Sequence, residues 1–420
     1  MTKNKTELFF LKIKKLLSKF LKINSQYIIN VIIHYISIFF GRRVDNKLIV
    51  LGAANGKAFI GNTKYIYEYL KKNTDYKLIW FSKSNSLSKE LKERRISFIE
   101  GTNLKSIKIL RKAKYIFVTH GLTDILPIRF SPQTIVVQTW HGVQNKRNRT
   151  EGEYIPYPKL TKLLRFKIRN NDVYNYFITP SGTKKDLEII SRHFEIPKKK
   201  IITTGYPRND IFFSFTEEFI NNIKERLGIP KNIKRIFLYA PTFRDHKLKA
   251  EFPLSDNELT KLNDYLRNSN SLLIFKAHLA ERTINFTNFS NFLIINQEMD
   301  IQELLIITDV LITDYSSVYC DFLLLDRPIL LFTYDLDEFL EKGRGFYYDF
   351  IKTAPGPLLR TGKELIYAIK NISEIDKQFK KKREETTKIY HKYRDGKSTE
   401  RLLKYLKIIL KSVSKEVIFF

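Results

Sequence analysis

Histidines stand at the ends of two apolar runs in the first half of the sequence. The run at 135–139 is followed by Trp140, His141 and Gly142, and the glycine lets the backbone turn and leave the imidazole in a cleft. Because imidazole titrates near neutral pH, His141 is suited to accept a proton from an attacking hydroxyl group. His120, before Gly121 at the end of the preceding run, is the alternative for this role, and a lone histidine is more often structural. An anionic substrate would meet the basic residues that follow, which are Lys146, Arg147 and Arg149.

A third histidine ends an apolar run in the second half. His278 and Lys276 are two residues apart, so an extended strand would place both side chains on one face, where they could share a ligand. The alternative is a structural histidine at a strand end. Another run, 235–240, leads to Thr242 and Arg244. Arg244 could bind a phosphate in a bidentate manner or pair with a neighbouring acid such as Asp245.

Two serines follow the apolar run at 310–313 and precede an apolar helix. Ser316 and Ser317 would present hydroxyl groups and unbonded backbone N–H groups at the helix start, where the helix dipole favours an anion. This predicts phosphate binding without a glycine-rich Walker motif, which the chain lacks. A serine there could also be an N-cap, and the two roles are compatible.

Metal chemistry has weak support in the sequence. Asp335 and Asp337 form a D-x-D pattern that could hold a divalent cation, but three residues are a weak signal, and we expect no metal. Cys320, the single cysteine, rules out an intramolecular disulfide and a thiolate zinc site and fits a reducing compartment.

The elements that position these residues form an alternating pattern. Short apolar runs alternate with amphipathic stretches, which predicts an α/β protein with parallel, doubly wound sheets. In such sheets ligands bind beyond the carboxyl ends of the strands, where the polar clusters stand. We expect a Rossmann-like domain at 44–215 and a second Rossmann-like domain with a basic helical tail at 216–420. The predicted strands are 48–52, 77–82, 96–100, 115–120, 135–139, 174–180, 201–205, 235–240, 272–277, 292–295, 310–313 and 329–332.

Residues 1–43 have a different pattern. Lysines recur every three or four residues along one predicted helical face, and apolar residues gather on another, as in a helix lying in an anionic membrane interface. The apolar stretch 27–40 has 14 residues, fewer than the roughly 20 needed to span a bilayer. We therefore expect a peripheral membrane anchor; the alternatives are a helix packed on the following domain and a true membrane span. The lysines are Lys12, Lys15, Lys19 and Lys22.

The charge of the chain implies an anionic partner. Lys and Arg number 74 against 44 Asp and Glu, a net charge of +30. Nucleic acid, an anionic membrane and a phosphate-rich substrate would all fit. The chain has no recognised nucleic-acid-binding motif, so nucleic acid is the least favoured. We assign part of the charge to the N-terminal lysines and part to a basic tail containing Lys380, Lys381, Lys382 and Arg383.

Nine short motifs follow one another along the chain. They are Gln138-Thr139-Trp140-His141-Gly142, Gly205-Tyr206-Pro207-Arg208-Asn209-Asp210, Tyr239-Ala240-Pro241-Thr242-Phe243-Arg244, Lys276-Ala277-His278, Thr313-Asp314-Tyr315-Ser316-Ser317, Arg327-Pro328-Ile329-Leu330, Tyr334-Asp335-Leu336-Asp337, Arg344-Gly345-Phe346-Tyr347 and Asp395-Gly396-Lys397. Together and in this order they resemble the CDP-glycerol:poly(glycerophosphate) glycerophosphotransferase family of teichoic-acid and capsule synthesis. The resemblance covers about residues 48–410. Leu279 stands where the family often has proline after the second histidine.

The resemblance implies a GT-B-like fold of two facing Rossmann-type domains, with 44–215 on the acceptor side and 216–420 binding the CDP-alditol. It implies transfer of an alditol phosphate from the CDP-alditol to an acceptor hydroxyl, with release of CMP. By resemblance His141 is the general base and His278 stabilises the donor pyrophosphate. Ser316 and Ser317 hold phosphate. Further donor contacts would be Thr242, Arg244 and Arg344. The implied donor is CDP-glycerol, no other cofactor is expected, and the implied place of action is the cytoplasmic face of the bacterial membrane.

Other functions remain open at this point. Transfer of ribitol phosphate is an alternative, since nothing in the sequence reports the carbon count of the alditol. A nucleotide-sugar glycosyltransferase on the same fold is another, and it would leave a nucleoside diphosphate. The acceptor, lipid-linked or polymeric, and the oligomeric state are not specified by the sequence.

Overall fold

The computed structural model describes residues 32–40, 43–146, 170–242, 252–276, 289–295, 299–342 and 345–410. The N-terminal lysines of the predicted amphipathic helix lie outside these residues.

Seven strands form the first sheet, in the order β3-β2-β1-β4-β5-β6-β7. Strand β1 pairs in parallel with β2 and with β4, so that Ile49 lies opposite Leu78 and Tyr115. The order reverses between β1 and β4, as in doubly wound sheets. The strands are β1 (Asp45–Leu51), β2 (Lys77–Ser82), β3 (Phe98–Glu100), β4 (Ala113–Val118), β5 (Ile135–Gln138), β6 (Tyr176–Thr179) and β7 (Ile201–Thr203).

Six parallel strands form the second sheet, in the order β10-β9-β8-β11-β12-β13. The residues of β11 and β12 are buried throughout. Burial on both faces explains why these strands are continuous apolar runs in the sequence. The strands are β8 (Arg235–Tyr239), β9 (Ser271–Lys276), β10 (Phe292–Ile295), β11 (Val310–Thr313), β12 (Ile329–Phe332) and β13 (Leu358–Leu359).

Besides the helical residues 32–36, fourteen α-helices connect and cover the strands within the described residues. Several begin with side-chain caps: Ser255 with Glu258 and Thr361 with Glu364 form capping boxes. The helices are α1 (Gly61–Asn73), α2 (Asn85–Glu93), α3 (Leu104–Lys112), α4 (Asn170–Val173), α5 (Lys184–Phe194), α6 (Glu217–Arg226), α7 (Asp256–Asn268), α8 (Ile301–Ile307), α9 (Val318–Phe322), α10 (Leu336–Lys342), α11 (Phe350–Thr353), α12 (Gly362–Lys370), α13 (Ile372–Tyr390) and α14 (Ser398–Tyr405).

The chain separates into two compact units. The first comprises Met1–Phe59, Leu70–Gln138 and Tyr157–Asn175, and the second comprises Ile60–Tyr69, Thr139–Pro156 and Tyr176–Phe420. Fully buried side chains of the first unit include Ile49, Trp80 and Phe117. In the second, aromatic and aliphatic residues from the six-stranded sheet and its helices form one apolar cluster. The boundary near residue 215 remains a prediction.

Residues 32–40, the described end of the predicted membrane segment, belong to the first unit. Residues 32–36 are helical and Ser37–Phe39 form a 3₁₀ turn. Ile33 and Ser37 are buried, and Ser37 Oγ accepts a hydrogen bond from the Arg129 N–H at 2.9 Å. The other side remains exposed and apolar. The exposed residues are Ile32, Tyr35, Ile36, Ile38 and Phe39.

None of the helices in the described part of the chain is long and apolar enough to cross a bilayer.

One prediction about the basic tail is corrected by the structure. Lys380 and Lys381 on α13 are exposed, as a surface-binding role requires. Arg383 is buried instead, with its guanidinium 2.6 Å from an Asp376 oxygen and 3.5 Å from an Asp326 oxygen. The prediction that Arg383 contacts anionic lipid is therefore wrong, because the α13 face that carries it packs inward.

Candidate active site

The segment after β5 turns at Trp140. This residue has a φ of 55°, a left-handed conformation that non-glycine residues rarely adopt. Its indole packs on Phe194 with ring centroids 4.5 Å apart, and the His141 ring lies 4.1 Å from the indole centroid. His141 itself is exposed. Packing therefore holds the indole, and the exposed imidazole lies beside it.

Gly142 has a different role from the predicted one. Its φ is not in the left-handed region, so it is not the residue that requires conformational freedom. A Cβ at Gly142 would stand 2.9 Å from Ser317 Oγ, which is closer than side chains tolerate. Glycine at this position leaves room for the Ser317 hydroxyl, which a larger residue would displace. The structure thus brings two predicted site elements together, the His141 segment and the serine pair.

Lys146 lies beside another predicted motif. It forms an antiparallel bridge with Phe346, and the Tyr347 N–H donates to the Asn145 carbonyl at 3.1 Å. Asn145 Nδ2 also lies 3.5 Å from the Tyr319 hydroxyl, one turn beyond Ser316. Residues 142–146 therefore run along both the start of α9 and the 345–347 segment.

Asp314 joins the loop after β8 to the loop after β11. Its fully buried carboxylate accepts hydrogen bonds at Oδ1 from the Thr242 N–H at 2.8 Å and the Thr242 hydroxyl at 2.6 Å. The Ser316 N–H donates to the same oxygen at 3.2 Å. Thr242 and Ser316, two residues predicted to contact the donor, are consequently held by one carboxylate.

The serines do not behave as ordinary caps. Ser317 occupies the N-cap position of α9, but its side chain makes no capping hydrogen bond. Ser316 Oγ accepts from the Val318 N–H at 3.4 Å. Both serines are half-buried. Capping alone therefore does not account for the Ser317 hydroxyl.

Five predicted site residues lie outside the described residues. These are His278, Arg244, Arg344, Arg147 and Arg149. Lys276, the last residue of β9, is described and half-buried. The prediction that Lys276 and His278 share a ligand stays a prediction.

His120, the alternative base, lies in the first unit. Its Nδ1 is 2.7 Å from Thr119 Oγ1 and 3.8 Å from Asp124 Oδ1, and its N–H donates to Asp124 Oδ2 at 2.7 Å. Burial lowers the pKa of His120, while the Asp124 carboxylate opposes that shift. These contacts describe a histidine built into a turn around a buried aspartate.

The D-x-D pair has other partners. Asp335 Oδ1 accepts from the Tyr315 hydroxyl at 3.0 Å, and Asp337 Oδ2 pairs with Arg360 Nη1 at 2.8 Å. Within the described ranges, no group of three or more His, Cys, Asp or Glu side chains could hold a metal ion.

The side chains that hold the His141 segment were not predicted from the sequence. Asn62, Tyr206 and Arg208 donate hydrogen bonds to backbone carbonyls of residues 139–142. Tyr206 and Arg208 belong to the family motif at 205–210, but no role was predicted for either of them. Asn62 lies in an amphipathic helix where no pattern singled it out.

A family comparison identifies the chain. The family model for CDP-Glycerol:Poly(glycerophosphate) glycerophosphotransferase matches residues 34–407. A teichoic acid poly(glycerol phosphate) polymerase of Bacillus spizizenii W23 is 37% identical over 338 residues, covering 77% of this chain and 83% of that protein. A teichoic acid glycerol-phosphate transferase of Staphylococcus aureus NCTC 8325 is 30% identical, covering 86% and 93%.

One relative is much longer. The teichoic acid poly(glycerol phosphate) polymerase of Bacillus subtilis 168 is 37% identical over 342 residues, which are 79% of this chain and 45% of that protein. The present chain thus spans about half of it.

The solved structure of the wall teichoic acid polymerase TagF, H548A variant, matches with a TM-score of 0.73 and 26% identity, covering 87% of this chain and 89% of that one. The predicted α/β, GT-B-like fold is confirmed by this match and by the two parallel sheets. The chain belongs to the CDP-glycerol:poly(glycerophosphate) glycerophosphotransferase family.

Proposed function

We propose that this protein transfers glycerol phosphate from CDP-glycerol to a hydroxyl group of a lipid-linked or polymeric acceptor in teichoic-acid or capsule synthesis, and releases CMP. The observation that carries the proposal is the approach of Gly142, next to His141, to Ser317 in a chain of this family. A base and a phosphate-binding hydroxyl are the two groups that the reaction needs side by side. The glycerol-phosphate names of the relatives at 37% and 30% identity favour glycerol as the alditol.

The reaction is an in-line displacement at phosphorus. The acceptor oxygen forms a bond to the β-phosphorus of CDP-glycerol while the bond from that phosphorus to the bridging oxygen breaks, and CMP carries away the electron pair. The imidazole of His141 accepts the hydroxyl proton. In such a reaction the protein mainly positions the reactants and stabilises charge on the oxygens.

The donor phosphates would be bound by hydroxyl and basic groups. Ser316, Ser317 and Thr242 are the proposed hydroxyl contacts. The Asp314 carboxylate holds Thr242 and the Ser316 backbone in place, and Ser317 follows directly. His278, Arg244 and Arg344 are proposed as further anion contacts on the strength of the family motifs. Lys146, with Arg147 and Arg149, would face the acceptor.

We place the protein at the cytoplasmic face of the bacterial membrane, as a peripheral protein. The lysine pattern of residues 1–31 and the exposed apolar side chains of residues 32–39 support this. The acceptor is made of anionic phosphate units or is attached to lipid, so surface binding would bring the enzyme to its substrate.

The test uses purified full-length protein with CDP-glycerol or CDP-ribitol and either a lipid-linked disaccharide or a glycerol-phosphate polymer. CMP release and product mass are the readouts. We expect CMP release with CDP-glycerol, and a His141→Ala turnover lower by roughly 10²- to 10⁴-fold. His120→Asn tests the alternative base and should stay within a few-fold of wild type. Near wild-type turnover in His141→Ala would refute the base assignment.

CDP-ribitol is the second candidate donor. A ribitol-phosphate polymerase and a ribitol-phosphate primase of Bacillus spizizenii are 29% and 26% identical to this chain. Faster CMP release with CDP-ribitol than with CDP-glycerol would replace glycerol by ribitol in the proposal and keep the chemistry.

A further inference from the structure

Four successive backbone carbonyls around His141 each accept a hydrogen bond from a buried side chain. The donors come from α1 and from residues 206–208, all within the second unit. All three donor residues are buried: Asn62 is 0% exposed, Tyr206 is 3% exposed and Arg208 is 5% exposed. The bonds run from Asn62 Nδ2 to Thr139 O (2.9 Å) and Trp140 O (3.0 Å), from Arg208 Nη1 to His141 O (2.6 Å) and from the Tyr206 hydroxyl to Gly142 O (2.8 Å).

Arg208 has a second arm. Its Nη2 lies 2.7 Å from Asp321 Oδ2, and both side chains are buried. Asp321 also accepts hydrogen bonds from Asn209 Nδ2 at 2.9 Å and Gln302 Nε2 at 3.1 Å. Removing an ion pair from water is unfavourable unless hydrogen bonds satisfy both ions. Both oxygens of the Asp321 carboxylate are satisfied, whereas Arg208 Nε is buried with no hydrogen-bond partner among the described residues. A buried ion pair is weak evidence that the pair stabilises the fold. The presence of the Arg208–Asp321 pair at this place in the molecule therefore needs another explanation.

The position of Asp321 supplies that explanation. It belongs to α9, the helix that begins one residue after Ser317. The guanidinium therefore bridges the carbonyl of His141 and the helix that carries the serine pair at its start. The Arg208 N–H also donates to Asn62 Oδ1 at 3.1 Å, which ties the bridge to the side chain that holds residues 139 and 140.

We propose that Arg208 is a positioning residue that sets the His141 imidazole relative to Ser316 and Ser317, by bonding the His141 carbonyl with one arm and Asp321 with the other. The inference rests on the proposed function and adds a residue that acts through His141. The planar guanidinium group suits this role, because its two terminal nitrogens donate hydrogen bonds in a fixed relative direction. Lysine would keep the charge and lose the fork.

A double-mutant cycle between Arg208→Lys and His141→Ala tests the proposal. In the wild-type background Arg208→Lys should lower kcat about 10- to 100-fold, because small displacements of a catalytic group have effects of that size. The KM for CDP-glycerol should stay within about twofold. In the His141→Ala background the same substitution should lower kcat less than about threefold, since the group that it positions is gone.

Controls separate positioning from folding. CDP-glycerol binding stoichiometry gives the fraction of folded sites, and kcat is expressed per site. Arg383→Lys, at another buried, ion-paired arginine that touches none of residues 139–142, should leave kcat per site within about twofold of wild type. If Arg208→Lys folds poorly, Tyr206→Phe removes a single donor from the same segment and should show the same dependence on His141.

The outcomes are distinct. An equal loss from Arg208→Lys in both backgrounds would mean a general structural role and would overturn the positioning proposal alone. Wild-type turnover in the His141→Ala single variant would overturn the base assignment, and the positioning proposal with it.

Discussion

At the scale of single residues, Gly142 lies where an added side chain would displace a neighbour. A methyl group there would meet Ser317 Oγ at 2.9 Å, so either the serine or the His141 segment must move. We predict that Gly142→Ala lowers kcat about tenfold or more, because a displaced base loses alignment. Steady-state CMP release measures the effect.

The Ser317→Ala background tests whether this contact is the cause. The added methyl group would then lie 3.7 Å from the residue 317 Cβ, an ordinary contact. Gly142→Ala should therefore reduce kcat much less in Ser317→Ala than in wild type. An equal reduction in both would refute the steric explanation.

Asp314 is the second residue whose role can be tested singly. Asp314→Ala removes the acceptor for both Thr242 donors and for the Ser316 N–H. Each such hydrogen bond contributes about 1 kcal/mol. We predict at least about tenfold weaker binding of CDP-glycerol, measured by calorimetry.

Asp309→Ala is the matched control for Asp314→Ala. Asp309 Oδ2 accepts from the Ile236 N–H at 2.7 Å, joining the same two strands, β8 and β11, at their opposite end. It should reduce stability and leave donor affinity within about twofold. If both variants weaken binding equally, the effect belongs to the strand pair and not to the donor loops.

The residue types at the strand ends predicted some of the residues of the candidate site but not the others. His141 and Ser317 were found because ligands bind beyond the carboxyl ends of parallel strands, which is where these residues stand. Asn62 and Arg208 act through backbone carbonyls, and a residue's sequence neighbours do not reveal which distant carbonyl it will bond. The left-handed turn was misplaced by two residues, since glycine suggested position 142 and packing on Phe194 supports it at Trp140 instead.

At the scale of elements, the buried parallel strands were predictable and their ends were less so. Each apolar run contains a strand, because strands covered on both faces need apolar side chains throughout. The strand predicted at 115–120 is too long at its carboxyl end. Strand β4 ends at Val118, because the N–H groups of residues 119 and 120 donate hydrogen bonds to the Asp124 carboxylate and form a turn. Strand β13, Leu358–Leu359, was missed because two residues make no pattern.

The 32–40 element makes a prediction about membrane binding. Phe39 is 86% exposed and Ile36 41% exposed on the side away from the first unit's core. Inserting such side chains into a bilayer contributes about 1.5–3 kcal/mol each. We predict that Ile36→Asp/Phe39→Asp weakens binding to phosphatidylglycerol vesicles by about tenfold or more in a sedimentation assay.

Tyr367→Asp is the control for that variant, because Tyr367 is an exposed aromatic residue, 66% accessible, on α12 of the second unit. It should bind vesicles like wild type. If the double variant does so too, the 32–40 element serves to pack on the first unit and the vesicle contact lies elsewhere.

At the scale of the whole molecule, the count of 74 basic residues overstates the basic surface available to a partner. Lys64, Arg208 and Arg383 are buried and each pairs with a carboxylate. Their charges are neutralised locally and exert little field at the surface. The excess that can attract an anionic lipid or polymer is carried by exposed lysines such as Lys380 and Lys381.

The pH dependence of global stability follows from Asp186, a buried carboxyl in the first turn of α5. Burial raises its pKa from 3.8 to about 6, and the hydrogen bond from Thr179 Oγ1, 2.8 Å long, offsets only part of that rise. Between these two pH values the folded protein keeps the proton that the unfolded chain has lost. The free energy of unfolding therefore falls as pH rises through this window, and above pH 6 the full loss of about 2–3 kcal/mol is present.

Asp186→Asn removes this titration and keeps the shape of the side chain. We predict that the variant and wild type have similar free energies of unfolding near pH 4, and that the variant is more stable by about 2 kcal/mol at pH 8. Urea unfolding at both pH values gives the comparison. Glu188→Gln, on an exposed position of the same helix, should show no such rise between the two pH values. The raised pKa exists only if burial holds the proton on Asp186 in the folded protein. If the stability difference between Asp186→Asn and wild type does not change with pH, the Asp186 carboxyl is already ionised in the folded protein near pH 4, and the prediction is wrong.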